Sequence, residues 1–215
     1  MRGLLISQMD PPLDRDDDFH AWYDDEHIPV RLALPGFESA LRCQSTGSAT
    51  RFLVCYFIDD LDVLKSADYQ QIKAEPGPRT ERMLGEVRDF TRFTCELTAD
   101  TADHPLADHS PADHLVVHVV QCHPEGAGEF ERRSASIAKV LVDSGASWVR
   151  VRGYRTFGAN VGGAWTHISL YESSGSLGGL PRLPDAEGLE QESWWDYRVI
   201  RRAHSATGEV TQLQP

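Results

Sequence analysis

The chain has 215 residues, enough for one large domain or two small ones with real cores. Its 33 acidic residues outnumber 21 basic ones, a formal net charge of -12, so nucleic-acid phosphates and anionic membrane surfaces are repelled on average and neither is expected as a partner. The longest apolar runs, such as Leu115 to Val120, are strand-sized, and Met1-Arg2-Gly3-Leu4-Leu5-Ile6 gives way at once to polar residues, so neither a membrane span nor a signal peptide is expected.

Gly3 to Met9 reads as a short apolar strand broken by Asp10-Pro11-Pro12. A helix from about Asp16 to His27 follows, opened by three aspartates that suit a helix N-terminus and ended or kinked by Pro29. Helical periodicity sets Phe19, Trp22, Tyr23, Glu26, His27 and Val30 on one face and Asp24, Asp25 and Ile28 on the flank. His27 then sits at a helix C-terminus near Asp24 and Glu26, where imidazolium is favoured, so it is expected to take up a proton near neutral pH. His20 is expected to face solvent.

Past the turn Pro35-Gly36, Phe37 to Ser45 and Arg51 to Ile58 form a hairpin about Thr46-Gly47-Ser48. Asp59-Asp60 caps a helical region from Leu61 to Ser66, a loop at Pro76-Gly77-Pro78 precedes a helix from Arg79 to Glu86, and Phe90 to Leu97 is a strand. Its alternation puts Phe90 and Arg92 on one side and Phe93 and Cys95 on the other. The same order returns as a strand at Leu115 to Cys122, a helix at Phe130 to Asp143, a hairpin of Ser147 to Thr156 with Ala164 to Tyr171, and a closing strand at Tyr197 to Ala203. Trp194-Trp195-Asp196-Tyr197 is placed before that last strand, at a rim or interface.

Strand, helix, strand, strand, helix, strand, twice over, gives an α+β chain of two ferredoxin-like repeats. Each repeat has one uncovered sheet face, and packing the antiparallel sheets face to face as an intrachain α/β barrel buries both. The repeats are assigned to residues 1–98 and 114–206, with a linker at 99–113 and a tail at 207–215. The linker is polar, and its His104 and His109, with His114 just beyond it, are read as solvated. Cys43, Cys55, Cys95 and Cys122 are scattered in apolar surroundings without a paired motif, so they are expected as small buried hydrophobes in a reducing cytoplasm.

Trp22, Tyr23, Glu26, His27, Ile28 and Pro29, then Pro35, Gly36 and Phe37, resemble the first-helix segment of EthD-like proteins in the dimeric α/β-barrel superfamily. Arg88 to Phe93 is similar to that family's closing strand. The resemblance implies an enzyme or binder of a small carbonyl-containing, aromatic or polyketide-like molecule, in a superfamily that includes cyclases, isomerases, cofactor-free monooxygenases and haem enzymes. Fold alone does not choose among these.

The residues favour proton transfer by a cofactor-independent lyase, isomerase or cyclase, with a cofactor-free monooxygenase or a non-catalytic binding pseudo-dimer as the alternatives. His27 is expected as general acid–base, Tyr23 as donor to an oxyanion, and Asp24 or Glu26 as the group orienting the imidazole. Arg42 and Arg92 are expected to hold a carboxylate or enolate, and Trp22, Phe93 and Trp165 to supply flat apolar walls. His118 and His167 alternate into second-repeat strands, with His167 a candidate to face the cavity. The second repeat's helix has no histidine, so only one of two equivalent pockets is equipped for this chemistry. No glycine-rich dinucleotide or phosphate loop and no paired-cysteine cluster occurs, so no cofactor and no metal are expected. A monomeric pseudo-dimer and a homodimer both fit a chain that carries two repeats.

Overall fold

The computed structural model describes residues 2–47, 50–100, 112–123, 126, 128, 130, 132, 137, 148–156, 164–174, 189–205 and 210–212. Most of the expected linker with His104 and His109, most of the second-repeat helix and most of the tail lie outside the described residues. Contacts divide the chain into two compact units, Met1–Thr94 with Ile200–Pro215, and Cys95–Val199.

The first unit runs β1 (Gly3–Asp10), α1 (Asp16–Trp22), a π-helical turn (Tyr23–His27), α2 (Ile28–Leu32), β2 (Phe37–Ser45), β3 (Phe52–Ile58), a 3-10 turn (Leu61–Lys65), α3 (Ala67–Ala74), α4 (Pro78–Glu86) and the start of β4 (Arg88–Asp100). Its strands lie in the order β2-β3-β1-β4, with β3 antiparallel to both neighbours, Leu5 opposite Tyr56 and Met9 opposite Phe52. β1 and β3 are almost wholly buried, and β3 accordingly reads as a continuous apolar run instead of an alternation.

Phe19, Trp22, Tyr23 and Ile28 press the first helix onto this sheet at 0–2% exposure. The helix does not end at Pro29. It continues to Leu32 because the turn before it is π-helical: Ile28 N–H donates to the Tyr23 carbonyl, five residues back. A π turn takes up one more residue than an α turn, so the inward face shifts along the sequence. Ile28, expected on the flank, is therefore 1% exposed, and Val30, expected on the inner face, is 42% exposed. α3 was not expected; Ser66 caps it by accepting from Tyr69 N–H, and Tyr69 is its one buried side chain.

The second unit contains the rest of β4, β5 (His114–Cys122), β6 (Trp148–Thr156), β7 (Trp165–Ser173) and most of β8 (Leu189–His204), in the order β4-β6-β7-β5-β8 with antiparallel pairing throughout. The order β6-β7-β5-β8 repeats β2-β3-β1-β4 element for element. Phe130 and Ile137, within the expected helix, are helical and buried. β8 begins at Leu189 and not at Tyr197, so Trp194 and Trp195 lie inside the strand, opposite His118 and Val117 of β5. Its last residues belong to the first unit, where β8 pairs with β2 and with β9 (Val210–Gln212). Among the described residues no helix is long and apolar enough to cross a membrane, and the four cysteines are buried as expected, none of them in a disulfide.

Between α2 and β2, Gly36 takes φ +88°, a region that side chains other than glycine rarely adopt. A β-carbon there would stand 2.3 Å from Val63 Cγ2 and 2.7 Å from Asp59 Oδ1. Gly36→Ala should therefore cost about 1–3 kcal/mol, read as a lower denaturant midpoint at unchanged slope. A variant as stable as wild type would show that this turn relaxes at no cost.

Candidate active site

A pocket of about 600 Å³ opens in the first unit. One wall is the His27 end of the first helix with Glu26, Val30 and Arg31; the opposite wall is α3, the Pro76-Gly77 bend and α4; Phe90 and Arg92 of β4 complete it. Val30, Ile72, Leu84, Val87 and Phe90 make one side apolar, and Val30, Leu84 and Phe90 are unusually exposed for their size.

His27 is 6% exposed, and its Nδ1 has no hydrogen-bond partner among the described residues. Its ring lies 4.2 Å from the Trp22 ring and 5.0 Å from the Tyr23 ring, centroid to centroid. Burial holds its pKa well below the usual histidine value, and the charges of Arg31 and Arg92 act in the same direction. The expected imidazolium is thus replaced by a neutral imidazole. The helix end that was to favour the proton is absent, since the helix runs on to Leu32.

Neither carboxylate orients the ring. Asp24 is shared by two arginines, Arg42 Nη1 at 3.0 Å and Arg201 Nη1 at 2.7 Å. Glu26 lines the pocket, but its Oε1 accepts from Thr80 Oγ1 at 2.5 Å, and that same hydroxyl accepts from Trp22 Nε1 at 2.9 Å. Trp22 is 0% exposed, a platform beneath His27 and not a wall open to a ligand. The Tyr23 hydroxyl is buried away from the pocket, where it donates to Met9 Sδ at 3.5 Å, and burial pushes its pKa up. It is not placed as an oxyanion donor.

Of the two arginines expected to bind an anion, Arg92 lines the pocket and Arg42 does not. Arg42 is 1% exposed, bonded to Asp24 and to His20 Nδ1 at 2.7 Å, with its guanidinium 4.8 Å from the Tyr23 ring centroid. This also draws His20 inward: it is half-buried against Phe52, its pKa lowered by desolvation and by Arg42. Phe93 lies on the side of β4 away from Phe90 and Arg92 and does not line the pocket. Trp165 and His167 belong to the second unit. There Arg155 stands 4.9 Å from the Trp165 ring centroid, and His167 is fully buried, with a pKa lowered to about 4 by burial and by Arg155.

Sequence reasoning missed Arg31, Thr80 and the apolar residues of α3 and α4. Arg31 carried a signal, one turn beyond His27, where its Nη1 donates to the His27 carbonyl at 3.1 Å. Thr80 carried none, because its partners Trp22 and Glu26 are more than fifty residues away. Among the described residues no cluster of three or more metal-ligating side chains occurs.

Neither a protein-family model nor a curated protein matches the sequence. Solved structures do resemble it. A protein described as anthrone oxidase-like is similar at TM-score 0.70 and 11% identity, over 99% of this chain and 96% of that one. A candidate monooxygenase from Fusobacterium nucleatum is similar at TM-score 0.57 and 10% identity, over 99% and 98%. Another from Lactobacillus acidophilus is similar at 0.54 and 8%, over 99% of each chain. At such identities the likeness shows the fold alone, an antiparallel α+β fold matched over nearly the whole chain.

His27, His20 and His167 all bind a proton more weakly in the folded chain than unfolded. The unfolded state therefore takes up more protons as pH falls below about 6.5, and the stability present above that pH is lost toward pH 4 and below. The unfolding midpoint should fall over this range, with a shallower fall in His27→Asn. By NMR the His27 ring should not titrate between pH 6.5 and 8; a midpoint there would restore the imidazolium.

Proposed function

We propose that the chain is a cofactor-independent oxygenase acting on a small aromatic or polyketide-like carbonyl compound, with His27 as the base. The observation that carries this is a neutral, buried imidazole lining a half-apolar pocket. A base must be unprotonated to act, and burial keeps His27 so at neutral pH. The structural similarity to an anthrone oxidase-like protein and to candidate monooxygenases supports oxygen chemistry over the lyase, isomerase or cyclase reaction suggested by the residues alone. The Trp22 to Pro29 segment and its EthD-like character support the same placement of the base.

In such a reaction a ring methylene conjugated with a carbonyl through the aromatic system loses a proton to the imidazole, leaving a delocalised carbanion. The carbanion gives one electron to dioxygen, and the resulting radical and superoxide combine to a peroxide. The proton held by His27 returns to the peroxide, which loses water as the carbon becomes a carbonyl. One dioxygen is consumed and one water released for each methylene oxidised. Trp22, held by Thr80, keeps the imidazole in place, and the walls of Val30, Ile72, Leu84, Val87 and Phe90 suit a flat ring system.

Anthrone with an oxygen electrode tests the reading. One mole of dioxygen should be taken up per mole of quinone formed, and His27→Asn should lower kcat/KM by about a hundredfold to ten-thousandfold. The acid limb of kcat/KM should lie below pH 6.5, because the free-enzyme base loses its function only when protonated. Turnover of a carbonyl substrate without oxygen uptake would favour an isomerase or cyclase, and binding without turnover the non-catalytic pseudo-dimer.

A further inference from the structure

Most of the described arginines that touch a carboxylate are locked to it: Arg15 to Asp18 and Glu86, Arg42 and Arg201 to Asp24, Arg150 to Asp100, Arg152 to Glu172, and Arg155 to Glu96. Arg31 and Arg92 differ. Arg31 donates to the His27 carbonyl, and Arg92 Nη2 donates to the Tyr69 hydroxyl at 2.7 Å. The acceptors are a carbonyl and a hydroxyl, and among the described residues neither guanidinium has a carboxylate partner. Both line the same pocket, and after burial itself their charges lower the proton affinity of His27.

A guanidinium carries five N–H donors in a planar fork that matches an oxyanion, and each of these two has only one donor engaged by the protein. In a chain of net charge -12, acidic side chains to neutralise them are plentiful. The contacts instead hold the two cations toward a concave space whose other side is hydrocarbon. We propose that this pocket recognises a ligand bound as an anion, an aromatic ring system bearing a carboxylate or an ionised hydroxyl, with the oxyanion on Arg31 and Arg92 and the rings against Leu84, Val87 and Phe90. This rests on the oxygenase reading only for the identity of the site, and names the class of substrate it would take.

Naphthoate and its neutral isostere naphthamide test the proposal by calorimetry without any turnover. Naphthoate should bind at least about tenfold more tightly, as expected for charge-assisted hydrogen bonds, and the preference should shrink with added salt. Arg92→Gln, at an exposed position, should fold and lose most of the preference, and Arg31→Gln combined with it should abolish the rest, while naphthamide binding stays near wild type. Naphthol, titrated through its own ionisation, separates the two oxyanions: tighter binding of its ionised form alone would assign the site to a phenolate, and of naphthoate alone to a carboxylate. Equal affinity for naphthoate and naphthamide, or a preference that survives in the double variant, would overturn the proposal. His27→Asn should keep the preference. Loss of oxygen uptake with an intact preference would refute the oxygenase reading alone; the reverse would refute this inference alone.

Discussion

The first unit depends on a helical turn that breaks the usual rule, with Ile28 N–H bonded to the Tyr23 carbonyl five residues back. Without it the helix would keep 3.6 residues per turn, and the residues beyond it would present a different face. With it, Trp22, Tyr23 and Ile28 all reach the core while His27 stays against Trp22 and lines the pocket. Pro29 is accommodated just after the widened turn, and α2 carries on to Leu32, placing Arg31 at the pocket. Wide turns of this kind inside α-helices are found frequently at functional sites, because they re-aim one side chain without ending the helix.

Charge is sorted in two ways around this helix. On the side facing β2 and β8, Asp24 collects Arg42 and Arg201, and Arg42 in turn stacks over Tyr23 and bonds His20. Taking a guanidinium to 1% exposure is costly unless the charge is paired, and removing one partner of such a buried pair costs about 3–5 kcal/mol. Asp24 is therefore committed to structure. On the other side, Glu26 is tied by Thr80, which also fixes the indole beneath His27. The imidazole itself is held by packing, with Nδ1 left unpaired among the described residues, so its tautomer is not set by a carboxylate of theirs.

The second unit repeats the strand order with different chemistry. Its buried histidines come from strands: His118 stacks on Trp194 at 3.6 Å between centroids, and His167 packs on Phe130 at 4.6 Å. Arg152 and Glu172 form a buried pair on neighbouring strands β6 and β7. The two units share the pairing order, which backbone hydrogen bonds enforce, and differ in their side chains.

The sequence by itself determined the α+β class, the two repeats and most strand positions. These are local matters: strands and helices leave periodicities of two and 3.6, and a repeated order of elements is visible without coordinates. Phe90 and Arg92 on one side of β4, opposite Phe93, also followed from alternation alone. Only the tertiary structure decided the protonation of His27 and the duties of its neighbours. A π turn has no periodic signature, so Ile28 and Val30 exchanged places. Asp24 was claimed by Arg42 and by Arg201, the latter 177 residues away, and Tyr23 by Met9. The pocket's second wall came from α3 and α4, whose approach to His27 is set by Thr80 and by contacts between residues distant in sequence, and no spacing along the chain records such an approach.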